Sequence, residues 1–430
     1  MKYSPLPQEL FIKNRKKFSE RLDRKSLAIF NSNDIYSISA DRTFPFHQHR
    51  DIFYLSGIDQ EESILVLFPD AFQEDYREIL FLKETNEHIA IWEGAKLTQK
   101  KATQFSGIKT IYWIDQFEKV LYNLMAEAEK VYLNLNEHYT ATREVQTRED
   151  RFVKKLLKQY PLHEYKRSNL ILQHLRSIKE AEEITQIQTS CDITEKGFRR
   201  VLNFIKPGVG EYEIEAEWAH EFLRNRANGF AYTPIIASGH NACILHYIEN
   251  NQSCRDGELL LIDVGACYAN YSADLTRTVP INGRYTERQR RIYNAVLRVK
   301  DQASDMLVPG NNWKYYNKEV GRIMTAELIG LGLLDQADVQ NENPKQPAYK
   351  KYLMHGTSHH LGLDTHDYGI LSESFQAGMV FTIEPGIYIP NEKLGIRIED
   401  NYVIQKNGAP LNLMKNIPVL SEEIEVLMHS

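Results

Sequence analysis

An ionised carboxylate inside a buried strand needs a partner, and this chain creates that situation twice. The stretch Leu259-LLIDVGACYANYSADLTRTV places Asp263 in an apolar strand-like run and Asp274 on the returning strand. Phe381-TIEPGIYIPNEKLGIRIEDNYVI does the same with Glu384 and Glu399. A turn centred between Tyr268 and Ala269 sets Asp263 against Asp274, and one centred between Asn391 and Glu392 sets Glu384 against Glu399. Directly opposed side chains have Cβ atoms about 5 Å apart, where like charges repel. A bound cation removes that objection. One acidic residue in a strand ordinarily lies on a solvated face, and one facing pair can be accidental. Two pairs, each in an apolar strand, point to a metal site.

The histidines are unevenly placed. Met354-HGTSHHLGLDTHD holds His355, His359, His360 and His366, four of the 14 in the chain. Gly356 and Gly362 argue against a regular helix there, and the absence of HExxH counts against a zincin. Any single histidine is ordinarily a surface or hydrogen-bonded core residue; the clustering is what suggests a site. His246, in Ser238-GHNACILHY, is a further candidate. Four carboxylates with an imidazole suit hard or borderline divalent ions, manganese first, with cobalt or zinc admissible. More acidic ligands than one ion needs implies two ions. Such a pair, about 4 Å apart, activates water and polarises a carbonyl near neutral pH. The chemistry is hydrolysis of an amide, ester or phosphoester bond, and the residues alone do not choose among these.

A length of 430 residues suggests two or three domains. Ser26-LAIFNS, Ser63-ILVLFPD, Arg77-EILFLKE and Lys130-VYLNLN read as buried strands of an α/β N-terminal domain. The Lys/Arg-rich segment 151–177 is taken as the junction, dividing the chain into residues 1–170 and 171–430. A helix starting near Lys179 has Ile184, Ile187, Cys191, Thr194, Phe198, Val201 and Ile205 on one stripe and stops at Lys206-Pro207-Gly208. Further helices are expected over 211–228, from the Thr286 cap to Pro309-Gly310, and over 316–330. Strand-rich stretches lie between them, at 230–238, 258–268, 271–280, 379–390 and 394–405. Helices and hairpins mixed in this way define an α+β C-terminal domain.

Net charge is −6, which gives no electrostatic reason to expect nucleic acid or an anionic membrane as partner. No apolar run approaches the roughly 20 residues of a membrane helix. The start, MKYSPLPQELFIKNRKK, has no apolar core of a secretory signal. The four cysteines form no CxxC pair and are expected to be reduced thiols. A cytoplasmic location is the default expectation.

Taken together, Ile244-LHY, Asp256-GELLLIDVGACYANYSADLTRTVPINGRYT, Met354-HGTSHHLGLDTHDYG, Thr382-IEPGIYI and Gly395-IRIED resemble the aminopeptidase P (Xaa-Pro aminopeptidase) branch of the pita-bread metallopeptidases. Phe46-HQHRDIFYLSG resembles, more loosely, the creatinase-type N-terminal domain of that family. The resemblance implies a C-terminal pita-bread domain and two ions, usually manganese. Asp263 would bind one, Asp274 and Glu399 would bridge both, and His359 and Glu384 would complete the other. It also implies that Glu384 handles the proton of the attacking water, that His366 stabilises the oxyanion and that His246 contacts substrate near the scissile nitrogen. His355 would line the proline pocket. Arg397, two residues before Glu399, would pair with a ligand carboxylate, the alternative being a surface arginine. Tyr388 and Trp92 are weaker candidates. Trp92 resembles a position that reaches a neighbouring subunit in related tetramers, whereas composition alone makes it a packing residue.

The implied reaction releases an N-terminal residue that precedes proline, in a homodimer or homotetramer. Rival readings are a prolidase confined to Xaa-Pro dipeptides, a non-catalytic pita-bread module that binds peptides, and a creatinase-like amidinohydrolase. The long N-terminal segment disfavours a methionine aminopeptidase.

Overall fold

The computed structural model describes residues 3–142, 144–343 and 345–429. The chain divides into two compact units, residues 3–175 and 176–430.

The first unit is built on a six-stranded mixed sheet. Its order is Thr110–Trp113, Glu78–Leu82, Ile64–Leu67, Ser26–Asn31, Lys130–Leu133 and Glu164–Arg167. The central strand, Ser26–Asn31, runs antiparallel to Ile64–Leu67 and parallel to Lys130–Leu133. It is buried on both faces, which is why it reads as an unbroken apolar run. Leu27 and Ile29 pack with Val66, Phe81 and Val131 under Leu121 and Leu124 of the helix Phe117–Glu127. Phe30, on the other face, meets Phe18 edge-on at 5.3 Å. The basic segment taken as a junction is fully structured. It forms the helices Arg148–Gln159 and Asn169–Ser177 around Glu164–Arg167. That strand lies at the sheet edge, and its charged, half-exposed residues carry the composition of a linker.

The second unit is α+β. The helix Ala181–Leu202 buries Ile187, Cys191, Thr194, Phe198 and Val201, a stripe in steps of three and four. Ile184 is only half-buried. Thr194 Oγ1 accepts from Ala266 N and Ser190 Oγ from Tyr268 N, so this helix braces the first carboxylate hairpin. Glu287–Ser304 starts at a reciprocal Thr286–Gln289 cap. Trp313–Gly330 begins three residues before the expected start because Asn312 caps it, accepting from Tyr315 N.

The first hairpin pairs Leu259–Asp263 with Thr276–Pro280 and Ala266–Tyr268 with Tyr271–Ser272. Its two-residue turn is Ala269-Asn270, both left-handed with φ of 50° and 68°, the geometry that matches strand twist in tight hairpins. The turn therefore lies one residue later than expected. Asp263 faces Thr276, not Asp274, which corrects the facing-pair assignment. Asp263 and Asp274 are diagonal neighbours on one face. Gly265 allows the strands to pinch there, since a Cβ would lie 1.8 Å from Ala273 O.

The second hairpin follows the expected register. Val380–Ile383 pairs with Asp400–Val403, and Gly386–Ile389 with Leu394–Arg397. Glu384 and Glu399 lie opposite each other at the break between these ladders. Their backbones bond elsewhere, Glu384 N to Thr357 O and Glu399 N to Thr276 O. That break joins the second hairpin to the first hairpin and to the histidine segment.

Candidate metal centre

The histidine segment lies along Val380–Ile383. Thr382 N donates to His359 O at 3.0 Å, Leu361 N to Val380 O at 3.0 Å, and His359 N to Thr382 Oγ1 at 3.1 Å. His359 Nδ1 lies 2.9 Å from His360 O. A carbonyl oxygen can only accept, so Nδ1 carries the proton and Nε2 is turned towards the carboxylates, 3.4 Å from Asp274 Oδ2 and 3.5 Å from Glu384 Oε1.

Asp274, His359 and Glu399 each offer a ligand atom, all within 4.8 Å of one another. Asp263 and Glu384 stand outside that trio but are tied to it. Tyr232 OH lies 2.6 Å from both Asp263 Oδ1 and Asp274 Oδ1. Glu399 Oε2 accepts from Thr276 Oγ1 at 2.7 Å, while its Oε1 is buried with no hydrogen-bond partner among the described residues. Burial, then the neighbouring acids against the opposing pull of His359, raises Glu384 to about 7. Burial and the neighbouring acids raise Asp274, against the pull of His359, and Glu399 as well. Burial would lower His359, but Asp274 and Glu384 outweigh it and raise it to about 9. Four carboxylates thus share one arginine and one imidazole. The surplus negative charge, the orphaned Glu399 oxygen and the inward Nε2 fit divalent cations, which suit carboxylate and imidazole ligands together.

Arg397 is buried and donates Nη2 to Asp263 Oδ2 at 2.6 Å and Nη1 to Tyr388 OH at 2.8 Å. Tyr388 OH in turn lies 2.8 Å from His355 Nε2, and His355 Nδ1 lies 2.5 Å from Gly356 O. The donors run one way, from Arg397 through Tyr388 to His355. Burial, then Arg397, lowers His355 to about 3, so its ring is neutral. His366 is exposed and stacks on His359 at 4.0 Å. His246 is exposed and lines an open cavity of about 300 Å³ with Ile244 and Ile248; it is not drawn into the carboxylate cluster. Trp92 is 77% exposed on the helix Glu87–Glu93, its ring tilted against His88 at 6.4 Å. Tyr232 and Thr276 were not singled out from the sequence. Thr276 shares a strand face with Asp274, and period-two spacing could have found it. Tyr232 carries no such signal, because its neighbours in sequence have no periodic pattern that aims it at the acids.

Two family profiles match the chain: Metallopeptidase family M24 over residues 185–406 and Aminopeptidase P, N-terminal domain, over residues 11–132. The Xaa-Pro aminopeptidase of Haemophilus influenzae is 35% identical, covering 99% of this chain and 98% of that protein. The structure of Pseudomonas aeruginosa aminopeptidase PepP superposes with a TM-score of 0.90 at 30% identity, over 99% of this chain and 98% of that one. Zinc-substituted Escherichia coli aminopeptidase P in complex with product gives 0.87 at 32%, over 99% of each chain. The chain belongs to metallopeptidase family M24. Its N-terminal match and full-length relatives set it in the aminopeptidase P branch, so its α+β unit is a pita-bread domain behind a creatinase-like α/β domain.

Proposed function

We propose that this chain is a two-metal aminopeptidase that releases the N-terminal residue from peptides with proline in second position. The observation that carries the reading is the buried Asp274–His359–Glu399 trio with Asp263 and Glu384 tied to it. Asp263 would hold one ion, Asp274 and Glu399 both, and His359 with Glu384 the other; manganese is the first choice, with cobalt or zinc as alternatives. Bound divalent ions would supply Lewis acidity at the scissile carbonyl and acidify water. Glu384, raised to about 7 before any cation is bound, would take and return the proton of the attacking water. His366 would donate to the developing oxyanion. His246 would contact the scissile nitrogen. His355, kept neutral and oriented by Tyr388 and Arg397, would line the proline subsite. A bond to proline is a tertiary amide without N–H, so a peptidase that relies on that donor handles it poorly and a dedicated site is reasonable.

The exposed Ile91 and Trp92 support a homodimer or homotetramer, with Trp92 reaching a neighbouring subunit. Among the described residues no helix is long and apolar enough to cross a membrane, and with a net charge of −6 a cytoplasmic enzyme without nucleic-acid partners is the reading we adopt. The test is metal analysis with a peptide panel comparing Gly-Pro with Xaa-Pro-Xaa. Cleavage of the longer peptides supports an aminopeptidase. Cleavage of the dipeptide alone makes the protein a prolidase, and full metal loading without any cleavage makes it a binding module.

A further inference from the structure

His366 sits on a segment, residues 361–369, that has no regular secondary structure. An exposed imidazole on such a loop is useful only if something else fixes it, since a misplacement of about 1 Å can cost about 10²-fold in rate. Three backbone-borne contacts shape the loop: Asp367 N to His360 O at 2.9 Å, Gly362 N to Asp364 O at 3.0 Å and Tyr368 N to Asp367 Oδ1 at 2.8 Å. The stronger anchor comes from outside it. Arg176 Nη2 lies 2.7 Å from Asp364 Oδ2 and 2.5 Å from Asp367 Oδ1. Its guanidinium carbon also lies 4.5 Å over the Tyr368 ring. Lys179 Nζ is 3.1 Å from Asp367 Oδ2. The side chains of Arg176, Lys179 and Asp367 are all but fully buried. The close fit extends to Gly362, where a Cβ would fall 2.1 Å from Asp367 Oδ2 and 2.8 Å from Lys179 Cε.

We propose that Arg176, seconded by Lys179, is a positioning residue that grips the histidine loop on both sides of His366 and holds its imidazole against His359. This rests on the reading of His366 as the oxyanion donor. The grip joins positions two residues before and one residue after His366, so the imidazole is fixed from both directions while its own ring stays open to solvent and substrate. Stability alone does not call for such a cluster, because well-packed apolar residues often replace buried ion pairs at no loss. One guanidinium nitrogen, Nη2, bonds both carboxylates while the planar group stacks on the Tyr368 ring, and a lysine ammonium cannot reproduce that stacking.

The test is a double-mutant cycle on an Xaa-Pro-Xaa tripeptide, using Arg176→Lys, Asp364→Asn and His366→Ala, alone and combined, in the metal-loaded enzyme. Arg176→Lys should lower kcat about 10-fold with KM within about twofold, and Asp364→Asn should act in the same direction but less. In the His366→Ala background neither should lower kcat further, since residues acting through one group are not additive. Metal stoichiometry and affinity, read by calorimetry, should be unchanged in all variants. Equal losses with and without His366, or weakened metal binding, would show that the cluster serves the general fold or His359 and overturn the proposal. Wild-type turnover in His366→Ala alone would overturn the oxyanion reading, and the positioning role with it. If Arg176→Lys fails to fold, Asp364→Asn decides the matter, because that carboxylate is 44% exposed and its loss leaves Arg176 still paired with Asp367.

Discussion

Glu399 and Asp400 are consecutive residues on one extended segment, and they point to opposite faces of it. Both are buried carboxylates. Asp400 meets Arg277 at 2.6 Å and Lys300 at 2.8 Å, and these cations outweigh burial and hold it below the usual carboxylate range. Arg277 also donates to Glu399 O and Pro418 O, locking the strand between its neighbours. Among the described residues Glu399 makes no ion pair; it faces Asp274, Glu384 and Asp263, and burial with their charge pushes it well above the usual range. Asp367, between Arg176 and Lys179, repeats the Asp400 pattern, its burial outweighed so that it is held at about 2. One face of the strand is thus balanced by the chain itself, and the other is left for cations from solution. Burial is common to both faces; what separates a structural acid from a candidate metal ligand here is whether the fold supplies the counter-charge.

The difference can be broken most directly by removing acids from either side. Glu384→Gln should lower kcat by about 10²–10⁴-fold, the usual scale for a lost general base. Its metal-free form should melt no lower than wild type, because a crowded charge has been removed. Wild-type turnover in that variant would end the proton-transfer role. Asp400→Asn should do the reverse. It leaves Arg277 and Lys300 facing a neutral amide in the interior, and stability to urea should fall by about 3–5 kcal/mol. Glu399→Gln in the metal-free protein should cost nothing or stabilise. If the two neighbouring substitutions destabilise equally, the division into balanced and unbalanced faces is wrong.

Much of this division was legible in the sequence, but unevenly. The second hairpin's register followed from its apolar alternation, and its turn fell at Asn391-Glu392. The first was misplaced by one residue. The turn needs two left-handed residues and lies at Ala269-Asn270, where Asn favours that conformation but Ala does not, and Gly265 marks a pinch that alternation does not reveal. The clustering of His355, His359, His360 and His366 announced a site, yet nothing in it separates His359, turned into the acids, from His360, buried among Trp313 and Phe381. The cations that neutralise Asp400 and Asp367 lie about 100 to 190 residues away in sequence: Lys300 and Arg176 on helices, Arg277 on a strand and Lys179 just past a helix end. Pattern within a segment tells which residues are inside; the charge that meets them there is set by chain folding over long separations.

Proton linkage sharpens the same contrast in metal-free protein. Glu384 and His359 have folded values raised to about 7 and about 9, so their contribution is complete below their ordinary values of 4.5 and 6.5. It is lost as pH rises through 7 to 9. Metal-free protein should therefore lose about 4 kcal/mol between pH 6 and pH 9, and metal-loaded protein should not. Asp367 is depressed from 3.8 to about 2, so its contribution is present above 3.8 and lost as pH falls towards 2, whether or not metal is bound. Urea titrations across pH with and without a chelator would read both limbs. A metal-free protein as stable at pH 9 as at pH 6 would show that the acids relieve their crowding in some other way.

The smallest effect concerns Tyr232, a neutral group placed between two of the unbalanced acids. Burial, then Asp263 and Asp274, pushes its hydroxyl well above the usual tyrosine range, so it stays protonated and donates at any working pH. A hydroxyl has one proton, yet two carboxylate oxygens stand 2.6 Å away, so it links the carboxylates without neutralising either. Such a link would hold Asp263 and Asp274 in the orientation ligands need while leaving their charge for the cations. On that view Tyr232→Phe should weaken metal binding about 10-fold, the lower end for loss of a group that orients ligands. The opposite sign is equally readable by calorimetry. If the hydroxyl mainly shields the two acids from each other when no cation is bound, its removal raises the energy of the metal-free state and binding tightens. Weaker binding makes Tyr232 part of the ligand scaffold; tighter binding makes it a stand-in for the missing charge, and would move it to the side of Arg277, Lys300 and Arg176, the groups by which this chain balances its own acids.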